Sequence, residues 1–536
     1  MAERRRSLLL VPLVIAACSL AGGLYGPGLE GAASPAGDQE IDASVKAFTK
    51  VLALVEDNFA DPVSPDKVIY KGAVMGMLRT LDPHSTFFDP RDYQLLREEQ
   101  KGHYFGVGMQ IGLSRTGNGK VMVIEPFPGS PSYRAGIRPG DYILAVEDRP
   151  TDKLNLNEVA DLLKGPRGTK VKVTFGREGS EQPFTILLTR DEIPRKSVKD
   201  TFWVRPGTGI AYLDIDQFNE NTSREVEEGI RGLGEQNFRG LILDLRGNPG
   251  GLLNEGVAVA DRFLRKGQTI VSHRGRASAE KPYAAKVGNS GYDYPIVVLV
   301  DRNSASAAEI VAGALQDHDR AWILGERSFG KGLVQTVYPL TENTGLALTT
   351  AHYYTPSGRL IQRDYSNISF LDYYYGRRSE EPNPPQDVKM TDSGRTVYGG
   401  GGIAPDEKYP TPELDRFQID LKLRRYAFFI FTAKYFGTHE AKLPKNWAPD
   451  EDILNEFHRY LLEDKVSFTE AEFAQHHDWI RSELRYEMYL TAFGVDEARR
   501  LKVENDPEVA RAIESLPKAK ALLENAKRVV AQRVRK

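Results

Sequence analysis

Residues 296 to 309 read Ile296-Val297-Val298-Leu299-Val300-Asp301-Arg302-Asn303-Ser304-Ala305-Ser306-Ala307-Ala308-Glu309. The first five residues form a continuous apolar run, which is typical of a strand that is covered on both faces. Small and polar residues follow, and the pattern then predicts a helix over 306–315. Because this serine lies at a strand-to-helix turn, we expect it at the carboxyl edge of a sheet, where α/β folds bind ligands.

The same alternation of strand and helix extends to both sides of this stretch. Further strands are predicted at 210–215, 241–245, 322–324 and 346–354, and further helices at 223–233 and 253–263. The pattern predicts an α/β core over 192–410. Within it, residues 364–402 are polar and rich in Pro and Gly, which predicts a long surface insertion.

Three other regions have different patterns of apolar, polar and turn-forming residues. Residues 41–100 carry apolar side chains at helical spacing and predict a helical segment. Residues 101–191 contain short strands separated by Pro and Gly turns, with one short helix at 157–164, which predicts a small, partly open β-barrel. Residues 411–536 are helical and strongly charged, and are predicted to form a domain for packing or for homo-oligomer contacts.

The N-terminus has the pattern of an export signal. Arg4-Arg5-Arg6 precedes an apolar run, so 1–27 is predicted to be a signal or anchor segment and 28–40 a linker. Ile15-Ala16-Ala17-Cys18 resembles a bacterial lipoprotein cleavage box, in which Cys18 would be lipidated. A plain signal peptide and an uncleaved membrane anchor remain as alternatives. All three predict an extracytoplasmic protein, either periplasmic or anchored to the bacterial inner membrane.

Composition excludes several classes of function. The chain has 536 residues and one cysteine, so internal disulfides and Cys-based zinc sites are excluded. The histidines are scattered and no HExxH motif occurs, which disfavours a metal enzyme, and no cofactor is predicted. With 71 basic and 74 acidic residues the net charge is −3, which gives no field to hold nucleic acid.

Ser306 is a candidate nucleophile because a helix follows it directly. A helix N-terminus offers unpaired N–H groups and a partial positive charge, so the Ala307 N–H is a candidate donor to an oxyanion. An ordinary structural role is the alternative, since Ser306-Ala307-Ala308-Glu309 also fits a capping box, with Ser306 as the N-cap.

Lys331 is a candidate base for that nucleophile. It lies between Gly330 and Gly332, and burial would favour its neutral form, which can accept the proton of a hydroxyl group. If the chain is extended here, Gln335 shares a face with Lys331 and could hold it. The alternative is a surface lysine in a glycine turn.

Tandem glycines follow the strand at 241–245. Gly250 and Gly251 end the motif Asp244-Leu245-Arg246-Gly247-Asn248-Pro249-Gly250-Gly251, and glycines allow backbone N–H groups to approach a ligand closely. This turn is a candidate for a second oxyanion donor, or it is simply a tight turn into the next helix.

These motifs together resemble the C-terminal processing peptidases, also called tail-specific proteases. The resemblance covers roughly residues 41 to 406. Its motifs occur in order as Leu81-Asp82-Pro83-His84-Ser85, the stretches 244–251 and 304–310, Phe329-Gly330-Lys331-Gly332, Tyr354-Thr355-Pro356-Ser357-Gly358 and Gly402-Ile403-Ala404-Pro405-Asp406.

The resemblance implies a serine endopeptidase that cleaves proteins near or from their C-terminal tails. It implies a Ser306–Lys331 dyad, with Gln335 orienting the lysine and with Ala307 and one glycine of 250–251 forming the oxyanion hole. It also implies a crotonase-like α/β core with an inserted PDZ domain. Ala308 departs from the family, in which many members have a second serine at this position.

The segment 101–191 carries the features that resemble a PDZ domain. Phe105-Gly106-Val107-Gly108-Met109 resembles a carboxylate-binding loop, and Ala135-Gly136-Ile137-Arg138-Pro139-Gly140-Asp141 resembles a turn before a central strand. A substrate tail would add as a strand, with its last side chain near Met109 and Leu162. The alternative is a sealed barrel without a ligand.

Two other functions compete with the peptidase. One is a degenerate, non-catalytic scaffold or chaperone that holds tails through its PDZ domain. The other is a Ser–His–Asp hydrolase that uses His318 or His352. Predicted partners are protein substrates with unfolded tails, with a regulatory or adaptor protein as a further candidate.

Overall fold

The computed structural model describes residues 35–114, 119–177, 180, 182–366, 368–376 and 387–534. The predicted signal segment 1–27 and Cys18 lie outside the described residues. The chain divides into two compact units, Met1–Met77 and Leu78–Lys536. No helix in the described ranges is long and apolar enough to cross a membrane.

The described part of the N-terminal unit is helical, as predicted for the segment that begins at residue 41. Helix α1 (Pro35–Asn58) is followed by α2 (Pro65–Val68), a π-helical turn (Ile69–Val74) and α3 (Met75–Arg79), which runs past the end of the unit. Helix α1 begins inside the predicted linker 28–40, so that boundary is wrong. Proline suits the first turn of a helix because its missing N–H would have no partner there.

The second unit begins with β1 (Thr86–Phe88) and α4 (Pro90–Lys101) and continues into a small antiparallel β-structure. Its strands have the order β3-β4-β5-β7-β8, with β6 on β5, so β3 lies at an edge of the sheet. The elements are β2 (His103–Gly106), β3 (Met109–Leu113), β4 (Val121–Pro126), α5 (Pro131–Arg134), β5 (Tyr142–Val146), β6 (Arg149–Pro150), α6 (Leu156–Leu163), β7 (Lys170–Gly176), β8 (Phe184–Thr189) and β9 (Asp191–Pro194).

The α/β core is a six-stranded sheet with the order β10-β11-β12-β15-β16-β21. Strands β11, β12, β15, β16 and β21 are parallel, and β10 is antiparallel to β11. Its elements are β10 (Val198–Trp203), β11 (Ile210–Ile215), α7 (Thr222–Leu233), β12 (Gly240–Asp244), α8 (Leu253–Asp261), β15 (Ile296–Val300), α9 (Ala307–Asp317), β16 (Trp322–Gly325) and β21 (Glu407–Lys408).

A second sheet lies in the same unit. It has the order β1-β18-β13-β14, and β17 also pairs with β18. Its remaining strands are β13 (Thr269–Gly275), β14 (Ser278–Ala284), β17 (Leu333–Pro339) and β18 (Gly345–Tyr354).

The two faces of the core sheet are covered by different parts of the chain. Leu243 and Val298 pack with helices α7, α8 and α9, whereas the alternate residues Ile242 and Val297 pack with Leu516. Leu516 belongs to the last helix, α17 (Pro507–Val534). Because neighbouring strand residues point to opposite faces, α17 covers the face that the other helices leave open, and it is part of the peptidase core.

The rest of the C-terminal region forms a helical cluster of its own, in which Phe428, Phe431 and Phe457 are buried together with Leu484. Its helices are α11 (Arg416–Ile419), α12 (Ala427–Thr438), α13 (Glu451–Glu463), α14 (Glu470–Gln475) and α15 (His477–Phe493). Helix α16 (Val495–Glu504) follows, and its Val503 packs with Leu516 against the core sheet. A π-helical turn (Asp420–Arg424) follows α11.

The stretch 364–402 is not a simple surface insertion, so this prediction is wrong for part of it. It contains α10 (Phe370–Tyr375), β19 (Val388–Met390) and β20 (Thr396–Tyr398). Tyr373 and Val397 are buried, and Arg395 donates to the buried carboxylate of Asp319 at 2.7 Å. Polar residues of this stretch therefore form hydrogen bonds with the core. Composition alone does not distinguish such residues from polar residues that face solvent.

Candidate active site

Ser306 occupies the turn between β15 and α9. Its φ of 54° and ψ of −113° are unusual for a residue with a side chain, and such backbone strain is kept where the surrounding structure enforces it. An ordinary N-cap serine has extended backbone angles, which Ser306 does not have. Two neighbours fix the turn: the Phe329 N–H donates to Ser304 O at 2.8 Å, and the Tyr353 hydroxyl donates to Ser306 O at 3.2 Å.

Glu309 joins the nucleophile turn to the segment that carries the candidate base. Its Oε2 accepts from the backbone N–H of Ser306 at 2.8 Å and of Lys331 at 2.9 Å. Its Oε1 accepts from Ser328 Oγ at 2.5 Å and from the Gly330 N–H at 2.7 Å. The side chain is fully buried. Burial raises the pKa of this carboxyl, and the Ser328 hydroxyl and the backbone N–H groups of Lys331, Gly330 and Ser306 oppose that shift. With four donors directed at its two oxygens, the contacts favour the ionised form.

The predicted capping box describes only part of what Glu309 does. The predicted contact from Glu309 back to the Ser306 N–H is present. The other three contacts come from a segment about twenty residues further along the chain, and spacing alone gives no sign of them.

Lys331 is held by Gln335, as the predicted shared face requires. Lys331 Nζ donates to Gln335 Oε1 at 2.7 Å, and Gln335 Nε2 donates to the backbone oxygen of His84 at 2.5 Å. Burial lowers the pKa of Lys331, although the negative charges of Asp82 and Glu309 oppose this shift. Among the described residues, no direct hydrogen bond joins Lys331 Nζ to Ser306 Oγ, a contact that often forms only when substrate is bound.

The loop with Asp82 and His84 supplies the last anchor of this chain of contacts. Asp82 accepts from the N–H groups of His84 at 2.7 Å and of Ser85 at 2.8 Å, and from Ser85 Oγ at 2.6 Å. Burial raises the pKa of Asp82, but these hydrogen bonds outweigh it and the net shift is downward. Sequence reasoning used this motif only as a family signature and assigned it no role in positioning Lys331.

The tandem glycines lie directly against the nucleophile turn. A Cβ on Gly250 would lie 2.7 Å from Ser306 Cβ and 2.9 Å from the Ala307 nitrogen. The Gly250 N–H already donates to Asn248 Oδ1 at 2.8 Å. The N–H groups of Gly251 and Ala307 have no hydrogen-bond acceptor among the described residues, so both remain able to donate to a ligand.

Arg246, which belongs to the same motif as the two glycines, is the centre of an ion cluster. Arg246 Nη2 contacts Asp244 at 2.6 Å and Asp506 at 2.9 Å, and its Nη1 contacts Glu508 at 2.8 Å. Asp506 and Glu508 lie at the start of α17, so the C-terminal region contacts the motif that ends in Gly250 and Gly251.

Two carbonyl groups of the candidate tail-binding loop, Phe105–Met109, accept hydrogen bonds from serine side chains of the same domain. Val107 O accepts from Ser132 Oγ at 2.6 Å, and Gly108 O accepts from Ser130 Oγ at 2.8 Å. Gly108 has φ +77°, and a Cβ there would come within 2.3 Å of Ser130 Cβ. Met109, which is buried, begins the edge strand β3, and the exposed Phe105 and the buried Gly106 end β2 and its pairing with β9. The loop can therefore present N–H groups beside an open strand edge.

The two histidines proposed for an alternative triad are not placed to serve Ser306. His318 follows the C-terminal end of α9, whereas Ser306 precedes its first residue, about 18 Å away along the helix. His318 Nδ1 contacts Asp392 at 2.8 Å and Nε2 contacts Thr269 O at 2.7 Å. His352 lies opposite Leu333 in the β17–β18 pair. The next residue, Tyr353, reaches Ser306 O, and because neighbouring strand residues point to opposite faces, the His352 side chain is directed away from Ser306.

Comparisons with known proteins agree with this architecture. A model of peptidase family S41 matches residues 209–367, and a PDZ domain model matches residues 123–177. The chain is 41% identical over 305 residues to a carboxy-terminal-processing protease of Bartonella bacilliformis, an alignment that covers 56% of this chain and 68% of that protein. It is 30% identical over 327 residues to the carboxy-terminal processing protease CtpB of Bacillus subtilis, covering 61% of this chain and 67% of that protein.

Among solved structures, the chain is similar to a photosystem II D1 C-terminal processing protease at 30% identity and a TM-score of 0.34. That alignment covers 66% of this chain and 84% of the other. The extent of the Bartonella alignment, together with the two domain matches, leads to one conclusion: the chain belongs to peptidase family S41, as a serine-type C-terminal processing protease that carries a PDZ domain.

Proposed function

We propose that Ser306 is the nucleophile of this protease and that Lys331 is its general base. The observation that carries this proposal is the shared acceptor: one carboxylate oxygen of Glu309 binds the backbone N–H of both residues. Because both N–H groups bind the same oxygen atom, the backbones of the two residues are held close to each other. Burial of Lys331 favours the neutral amine that such a base requires.

The chemistry follows from the donors and acceptors around Lys331. With one N–H directed to Gln335 Oε1, the lone pair of the neutral amine is free for the Ser306 hydroxyl proton. The serine oxygen attacks the peptide carbonyl, and the protonated lysine then gives its proton to the leaving amine. Water, deprotonated by the same lysine, releases the acyl group and restores the Ser306 hydroxyl.

The oxyanion of the tetrahedral intermediate is proposed to bind the N–H groups of Ala307 and Gly251. Gly250 is the weaker candidate for the second donor because its N–H is already committed to Asn248. A methyl group on Gly250 would collide with the nucleophile turn, so this glycine supplies close approach instead of a hydrogen bond. Two such donors commonly contribute several kcal/mol to the stabilisation of the transition state.

The PDZ domain is proposed to bind the C-terminus of the substrate at the loop Phe105–Met109. Edge strand β3 can accept the tail as an added strand, and helix α6 borders the same edge. The N–H groups of Val107 and Gly108 donate no hydrogen bond to other described residues, which suits a terminal carboxylate. A regulatory or adaptor protein with an exposed C-terminus would compete for this edge.

Location and assembly are further proposals. The basic and apolar leader with Cys18 supports export from a bacterial cytoplasm, followed by anchoring at the inner membrane. Membrane fractionation of the wild type and of Cys18→Ala tests lipid anchoring, since release of the variant alone would support it. The helices of 411–504 are proposed as the contact between copies, and a monomeric mass in light scattering would contradict this.

The dyad is tested with Ser306→Ala and Lys331→Ala in the full chain. Cleavage of β-casein, an unfolded protein, is followed by mass spectrometry, with Lys281→Ala on the exposed strand β14 as the matched control. We expect loss of cleavage in both dyad variants and normal cleavage in the control. Wild-type cleavage by either dyad variant would remove the mechanism. A wild-type chain that binds tails but cleaves nothing would instead support the scaffold function.

A further inference from the structure

Helix α10, which lies in the insertion 364–402, contacts the loop that anchors the candidate base. Tyr373 OH lies 3.1 Å from His84 Nε2, and Tyr374 OH lies 2.9 Å from His84 Nδ1. Both phenol rings meet the imidazole edge to face, at centroid distances of 5.4 and 5.8 Å. Tyr373 is only 3% exposed. The insertion therefore holds both nitrogen atoms of one ring.

This arrangement suits a neutral histidine. Burial, together with the positive charges of Lys331 and Arg363, lowers the pKa of His84 to about 3, with Asp82 opposing the shift. A neutral imidazole has one N–H and one lone pair, and a phenol can donate or accept. The Tyr374 hydroxyl also donates to Pro83 O at 3.2 Å, which favours the tautomer in which Nδ1–H donates to Tyr374 and Nε2 accepts from Tyr373. Two hydroxyl groups therefore fix the ring in place without adding a charge beside Lys331.

A fixed His84 determines the orientation of Gln335. The backbone oxygen of His84 accepts from Gln335 Nε2, and this contact leaves Gln335 Oε1 directed at Lys331 Nζ. If the amide turned over, its oxygen would face the backbone oxygen of His84, and its NH₂ group would take up the lone pair of the neutral Lys331 amine. The backbone oxygen of His84 therefore fixes the orientation of the Gln335 amide, and the amide oxygen in turn fixes the direction of one N–H of the Lys331 amine.

A second set of contacts runs from α10 to the backbone next to the base. Gln362 Nε2 donates to Tyr373 OH at 3.2 Å, and Gln362 Oε1 accepts from the Gly332 N–H at 2.8 Å. On the other side of Lys331, the Arg363 guanidinium lies over the rings of both Tyr373, at 4.2 Å, and Phe329, at 4.7 Å. The helix thus reaches chain segments before and after Lys331.

We propose that helix α10 of the insertion is a positioning clamp for the general base, in which Tyr373 and Tyr374 hold His84 and thereby keep Gln335 and Lys331 in their working orientation. The clamp rests on the proposed role of Lys331. Neither tyrosine contacts the amine itself, so both are positioning residues. The clamp also adds a condition to catalysis, because the base is correctly aligned only while α10 is docked.

The test uses Tyr374→Phe and the double variant Tyr373→Phe/Tyr374→Phe in the full chain. Phenylalanine keeps the ring packing and removes the hydroxyl. Tyr365→Phe is the matched control, because Tyr365 lies in the same insertion, with its ring 6.3 Å from that of Tyr373, but makes no contact with the His84 ring. Two rates are measured: labelling of Ser306 by a fluorophosphonate from pH 5 to 10, and cleavage of β-casein.

We expect the double variant to lose roughly tenfold in labelling rate and in kcat, as for the loss of one to two hydrogen bonds, with KM close to wild type. Thermal unfolding should shift to lower temperature, because the buried His84 ring loses both hydroxyl partners. The acidic limb of labelling should move to higher pH, since a loosened site admits water and stabilises the charged amine of Lys331. Asp82, Glu309 and Arg363 also face this region, and none of them is altered. Tyr374→Phe should change in the same direction by less.

Wild-type labelling at every pH in the double variant would overturn the clamp. A rise in KM with unchanged kcat would also overturn it, because it would place α10 at substrate binding. Failure of the dyad itself appears differently, as an active Lys331→Ala. An inactive Lys331→Ala beside a fully active double variant removes the clamp alone.

Discussion

Glu309→Gln is expected to weaken both the peptidase core and catalysis. The wild-type carboxylate accepts from the N–H groups of Ser306, Gly330 and Lys331 and from the Ser328 hydroxyl. An amide has one oxygen and two N–H groups, so two of these contacts become donor against donor. The amide oxygen is expected to face Ser306 and Lys331, because both of those donors are backbone N–H groups and cannot adapt.

The expected loss of stability follows from the two groups that the NH₂ group of the new glutamine then faces. The Ser328 hydroxyl can turn and accept, but the Gly330 N–H is left without an acceptor in a fully buried place. An unsatisfied buried N–H costs about 1–3 kcal/mol, and loss of the charge-assisted bonds adds a similar amount, so we expect roughly 2–5 kcal/mol of lost stability. Glu309→Ala would leave all of these donors unsatisfied and should prevent the core from folding.

The pH profile distinguishes this effect from a general loosening of the site. The negative charge of Glu309 raises the pKa of Lys331, so its removal should move the acidic limb of fluorophosphonate labelling to lower pH while the maximal rate falls. Water entering a loosened site would move the limb to higher pH. Thermal unfolding and labelling are measured together, with the exposed Glu228→Gln as control. Unchanged unfolding and an unchanged profile would refute the reasoning.

Three other substitutions test separate parts of the molecule. Gln335→Glu places a carboxylate on Lys331 Nζ, which favours the charged amine, so the acidic limb of labelling should move to higher pH; an unmoved limb would contradict the observed contact. Leu516→Ala, at a side chain that is 7% exposed, should lower the stability of the core sheet by about 2–4 kcal/mol in thermal unfolding, whereas Leu462→Ala, at 54% exposed, should not. Leu162→Glu should raise KM for β-casein roughly tenfold, as for loss of an apolar pocket contact, and leave labelling of the nucleophile unchanged.

The strands of the core were predictable because burial on both faces imposes a simple pattern. Strands Ile210–Ile215 and Ile296–Val300 occur at the predicted residues. The second is an unbroken apolar run, the first is apolar except for Asp214, and an aspartate follows each of them. The start of α1 at Pro35 was missed because Gly and Ala near it suggested a tether. The last helix could be predicted as a helix, but its place on the core sheet depends on which apolar face it presents, and sequence does not show the partner.

The site was predictable to the extent that its residues are close in sequence. Lys331 and Gln335 are four positions apart, so an extended strand implies their contact. The contact between His84 and Tyr373 spans 289 positions, and no periodicity connects a short aromatic helix to a turn so far away. Glu309 was visible as a capping residue only, because local spacing reveals one of its contacts and the fold creates the others.

The position of Glu309 also explains why a negative charge can lie beside a base that must stay neutral. A nearby anion favours the charged amine, and yet the net shift of the Lys331 pKa is downward, so burial outweighs it. The carboxylate is balanced by hydrogen-bond dipoles instead of by a cation, and no salt bridge joins Lys331 to a carboxylate of the described residues. If Lys331 paired directly with Glu309, the amine would be charged and could not accept a proton. The same carboxylate can therefore join the two halves of the site through their backbones only because its oxygens are fully occupied by other donors.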